Sequence, residues 1–66
     1  MQNLYEVVVK LKDKGVEFER KEEVVSRDDK SLPLDLKKQL NKYRSAMGLS
    51  NTFSFEIVSA YHIGWA

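Results

Sequence analysis

His62 is the one histidine in the chain, and there is no cysteine, so a multi-histidine or thiolate metal site cannot be assembled from this sequence. Glu56 shares its parity with His62 along the same segment, but two scattered ligands do not hold zinc. Six serines are present. A nucleophile needs a positioned base and an oriented third group, and no motif around His62 or any serine supplies them. Gly15, Gly48 and Gly64 are dispersed, so neither a phosphate-cradling loop nor a dinucleotide fingerprint can be built. The ten carboxylates allow acid–base pairs by chance, yet catalysis also needs a concave, water-excluding pocket. The expectation is a protein that is not an enzyme and takes no cofactor or metal.

What remains is binding chemistry, and it depends on how the elements present their surfaces. Residues 32–47 hold Lys37, Lys38, Lys42 and Arg44 against Asp35 alone, within a chain whose net charge is only +1. Such a basic face could contact phosphates with salt-sensitive affinity. The four cations come without helix-turn-helix spacing or a glycine-rich arm, and a solvated helix face has the same composition.

The elements are legible from periodicity. Tyr5, Val7, Val9 and Leu11 alternate with Glu6 and Lys10, the pattern of a strand with one buried face. Lys12-Asp13-Lys14-Gly15 supplies turn chemistry. A hairpin over about 3–26 follows. Placing Leu11 opposite Val16 and Val9 opposite Phe18 also sets Lys10 against Glu17 and Glu6 against Lys21, so apolar and opposite-charge pairs match together. The return strand is expected at a sheet edge, with charges over residues 17–23 that deter pairing with other chains; as a functional alternative they form an acidic docking strip.

Ser31 is placed to cap a helix over about 32–47, with Pro33 in its first turn and Gly48 as its left-handed C-cap. Leu36, Leu40, Tyr43 and Met47 form its apolar stripe, and Leu32 and Leu34 are expected to pack where the chain enters. Over about 52–65, odd positions carry Phe53, Phe55, Ile57, Ser59, Tyr61, Ile63 and Trp65. This predicts a final strand with those side chains on the core and His62 on the opposite face. It outruns its partner strand, so it must bend near Ser59-Ala60 or overhang.

The expected fold is α+β: a three-stranded antiparallel or mixed sheet, order β-β-α-β, with one helix on one face. A right-handed crossover places the last strand beside the first, giving spatial order 2-1-3. A chain of 66 residues has room for one small domain, which at about 60 residues buries only roughly 60% of its unfolded surface. Self-association would relieve that shortage.

No apolar run reaches the roughly 18 residues of a membrane span, and Met1-Gln2-Asn3-Leu4 lacks the features of a signal peptide. The chain is therefore expected to be cytoplasmic, without a membrane partner. Its leading functional reading is a small protein-binding module, regulatory, inhibitory or accessory, of the kind common among short phage and mobile-element proteins. It would act through the sheet face opposite the helix or through the end of the last strand, with Val8, Val25, Val58, Ala60, Tyr61 and Trp65 as contact residues and a protein partner or a second copy in a homodimer as occupant. The alternative is a nucleic-acid-binding module using Lys37, Lys38, Lys42 and Arg44. No residue motif ties the chain to a family, and order of elements alone does not license a function.

Overall fold

The computed structural model describes residues 2–66. Strands β1 (Asn3–Asp13) and β2 (Val16–Ser26) form the hairpin, helix α1 (Leu32–Lys42) follows, and β3 (Ser54–Trp65) completes the sheet. The sheet has the order β2-β1-β3, and both pairings are antiparallel. This is the α+β layout expected from the sequence, with the uninterrupted apolar strand at the centre.

The hairpin register differs from the expected one by two residues. Leu11 faces Phe18, Val9 faces Arg20 and Asp13 faces Val16. The cause is the turn: only Lys14 and Gly15 lie outside the strands, at φ 52° and 80°. Two successive positive φ values make the tight turn whose twist matches that of the flanking strands. A shift of two residues keeps every side chain on its face. The charge pairs also survive, as diagonal neighbours: Lys10 Nζ lies 3.5 Å from Glu17 and Lys21 Nζ 3.9 Å from Glu6.

Leu32, Leu36 and Leu40 are the buried residues of α1. They close on Val7, Val9 and Leu11 of β1 and Val24 of β2, with Leu49 completing the core. The helix lies along β2: the Gln39 side chain donates to the Glu23 carbonyl at 3.2 Å, and the buried Ser26 hydroxyl donates to Asp35 at 2.6 Å. Leu34, expected to pack, is exposed. An eleven-residue helix spans about 16 Å, whereas strands of eleven or twelve residues run the full 37 Å of the molecule. The helix therefore covers less than half of the sheet.

Both ends of the helix depart from expectation. The Ser31 side chain makes no cap bond. Instead Asp28 accepts the Ser31 N–H at 2.7 Å, and this bond is the main reason its carboxyl is held below the ordinary value of 3.8. At the other end α1 stops at Lys42 rather than residue 47. Residues 43–47 form a separate turn, closed where Gly48 N–H donates to Ser45 and Leu49 N–H to Arg44, with Gly48 at φ 74°. This is the glycine cap expected from the sequence, set on a turn beyond the helix. Tyr43 leaves the apolar stripe and is exposed, while Met47 stays against the core. Asp13 then anchors the returning chain by accepting the Ser50 N–H at 2.9 Å and the Ser50 hydroxyl. Those bonds hold the Asp13 carboxyl below 3.8 as well.

Candidate docking edge

β3 pairs with β1 through two irregularities that decide what its surface presents. Val9 faces Ile57 but Val8 faces Ser59, leaving Val58 unpaired; Tyr5 faces His62 but Leu4 faces Gly64, leaving Ile63 unpaired. Each is a bulge, with one extra residue on β3. The first, at Val58, lies next to Ser59-Ala60. Its consequence was not expected, because one extra residue exchanges the two faces of everything that follows.

Before the bulge, Phe55 and Ile57 face Leu11 and Val9 and pack against the core as expected. After it, Ala60 faces the buried Val7, and His62 faces Tyr5, so both lie on the helix side. Ser59 and Tyr61 face Val8 and Glu6, on the outer side. His62 is thus on the side opposite to the one its parity predicted, and Tyr61 moves from the core side to the outer face. The second bulge resets the alternation once more, and Trp65 faces Asn3 on the helix side.

The six expected contact residues consequently do not form one patch. Val8, Val25 and Tyr61 share the outer face, Ala60 and Trp65 occupy the helix side, and Val58 is the bulge residue between them. What unites Val58, Ala60, Tyr61 and Trp65 is the strand itself. The helix lies along β2 and its leucines share the core with the β1 valines, while the end of β3 stands exposed: Tyr61 is 63% exposed, Trp65 64% and Ile63 46%. β3 is also an edge of the sheet.

The helix side of this end is ordered by an aromatic cluster centred on His62. Its ring meets Tyr5 edge-on at 5.7 Å and Trp65 at 4.7 Å between centroids. Its Nε2 donates to Asn3 Oδ1 at 2.9 Å, and Asn3 Nδ2 donates to the Arg27 carbonyl at 2.7 Å. One asparagine therefore ties the end of β3, through β1, to the chain leaving β2. Asn3, Tyr5, His62 and Ile63 were missed as site residues. Once the bulges are known, the register shows the cluster; uninterrupted alternation in the sequence hides it.

The two edges of the sheet differ in charge. β2 carries Glu17, Glu19, Arg20, Lys21, Glu22 and Glu23, whereas β3 carries Glu56 as its only Asp, Glu, Lys or Arg. Charged side chains along an edge deter pairing with another chain, and their absence permits it. The backbone is oriented for pairing as well. Gln2 and Ala66 exchange both N–H···O bonds, so by the alternation of an antiparallel ladder the N–H and C=O of Trp65 point to the free edge.

The basic surface is smaller than expected. Lys37, Lys38 and Lys42 are exposed on α1, but Arg44 lies past the helix end and is half-buried. None of the four forms an ion pair among the described residues, and Lys42 sits 5.4 Å from the ring of Tyr43. Lys37 and Asn41 also border an open depression beside Phe53 and Phe55, where the helix leaves β3 uncovered. Among the described residues no three His, Asp or Glu side chains gather as metal ligands, and no helix is long and apolar enough to cross a membrane. No family model, curated protein or solved structure matches the chain.

Proposed function

We propose that this chain is a non-catalytic protein-binding module, a regulatory, inhibitory or accessory factor whose contact surface is the free edge of β3 with its flanking aromatics. The observation that carries the reading is the contrast between the two edges: six charged residues guard β2, while β3 offers one carboxylate and ends in Tyr61, Ile63 and Trp65, exposed beyond the helix. An extended segment added to such an edge gains main-chain hydrogen bonds, with side-chain contacts on both sides giving specificity. The absence of cysteine suits work in a reducing cytoplasm.

A second reading rests on the unpaired Lys37, Lys38 and Lys42 beside Tyr43, a surface for phosphates with an aromatic at its margin. A pull-down from the source cell, with and without nuclease, separates the two. The first reading expects a nuclease-resistant protein that is lost with the Tyr61→Lys/Ile63→Lys variant. Recovery of nucleic acid alone, abolished by Lys37→Glu/Lys38→Glu/Lys42→Glu, would overturn it in favour of the second.

A further inference from the structure

Resting on the reading of β3 as the binding edge, we propose that its occupant is a second copy of the chain, paired antiparallel through β3 across a two-fold axis perpendicular to the sheet. The product is a continuous six-stranded sheet, β2-β1-β3 followed by its symmetry mate, with both helices on one side.

Charge favours this occupant. A strand edge with Glu56 as its sole formal charge meets its own copy without opposed like charges in every register except the one that sets Glu56 against Glu56. The chain's net charge of +1 adds little repulsion between copies. A two-fold perpendicular to the sheet also keeps faces together, as an isologous interface requires. Helix-side Ala60, His62 and Trp65 then line a trough with their mates, walled by the two helices that each leave β3 bare. Outer-face Tyr61 meets the outer face of the partner. The outward N–H and C=O of Trp65 exchange water for backbone partners of the second copy.

Exposed apolar area on β3 supplies part of what such a pair needs. At their observed exposures Val58, Tyr61, Ile63 and Trp65 offer on the order of 400 Å² of side-chain surface per copy, about half of the roughly 800 Å² per partner of a standard interface. The backbone edge of a twelve-residue strand supplies further contact. Pairing would also help a domain whose core holds eight buried apolar side chains among the described residues, because binding to the folded state adds stability by mass action.

The test is solution mass by light scattering on the full chain, read beside far-UV circular dichroism. The expected result is twice the 7.7 kDa chain for wild type and a folded monomer for Tyr61→Lys/Ile63→Lys, which places on β3 the charges that guard β2. Should that variant unfold, Trp65→Ala replaces it, with dimer dissociation expected to strengthen about tenfold or more. Lys30→Glu, exposed in the connection between β2 and α1, should leave the mass unchanged. A wild type that stays monomeric to high concentration overturns self-pairing, as does a dimer indifferent to the β3 variants. In the monomeric case, a β3-dependent protein partner in the nuclease-treated pull-down would keep the edge reading, and no such partner would remove that reading too.

Discussion

Leu36 and Leu34 are the same residue type two positions apart on one helix, yet Leu36 is 0% exposed and Leu34 57%. Truncating each to alanine changes helix propensity equally, so the difference between the variants isolates the seating of α1 on the sheet. Leu36→Ala opens a cavity between Leu32 and Leu40 over the β1 valines, a change that costs about 3 kcal/mol within a range of roughly 2–5. Leu34→Ala should stay within about 0.5 kcal/mol of wild type. At roughly 0.05–0.15 kcal/mol per residue a chain of this length has about 3–10 kcal/mol in total, so Leu36→Ala removes a large share of it or unfolds the chain. Urea unfolding followed by far-UV circular dichroism measures both, at one protein concentration so that any self-association acts equally. Equal midpoints for the two variants would refute the helix placement described above.

Other consequences follow from particular contacts. Gly15→Ala puts a β-carbon at φ 80° and should cost about 1 kcal/mol, whereas Lys14→Asn, at φ 52°, should stabilise by a few tenths; urea midpoints check both. Ser26→Ala removes the buried donor to Asp35 and should cost about 1–2 kcal/mol by the same assay. Asp13 and Asp28 are depressed below 3.8 by bonds from Ser50 and Ser31, so the unfolded chain binds more protons than the folded one in that window. The stability they contribute is present above pH 3.8 and is lost as pH falls through their lower folded values. Urea midpoints taken from neutral pH downward should show that loss, and Asp13→Asn/Asp28→Asn should flatten it.

Much of the fold is legible because burial and period coincide. Val7, Val9 and Leu11 alternate strictly and are the centre of the sheet; Leu36 and Leu40 recur at helical spacing and are the centre of the helix contact. The misreadings arise where period continues after burial has stopped. Tyr43 extends the helical stripe in sequence, but the chain leaves the helix at Lys42. The odd-position apolar pattern of the last strand runs on through Tyr61, Ile63 and Trp65, although Val58 and Ile63 are bulged and the end of β3 lies outside the cover of the helix. Nothing in the alternation marks Val58 as an extra residue. The hairpin slipped by two for a related reason, since Lys14 carries no signature of a positive φ.

In the candidate site, the alternation places the last strand but not its faces. Tyr61 and Trp65 were expected among the contacts and are exposed, but His62 and Asn3 came into view only through the β1–β3 register. The charge contrast between β2 and β3 was present in the sequence throughout. It bears on binding because β3 is the other edge of the sheet.

Amide hydrogen exchange at Trp65 in wild-type protein, compared between dilute and concentrated solution, tests the edge most directly. Its N–H points away from β1, so β3 pairing predicts protection that rises with concentration, while the exposed Gly15 amide in the turn exchanges rapidly throughout. Rapid exchange at Trp65 under both conditions would contradict pairing between copies, and if the nuclease-treated pull-down also yields no protein dependent on Tyr61 and Ile63, β3 is not a binding edge.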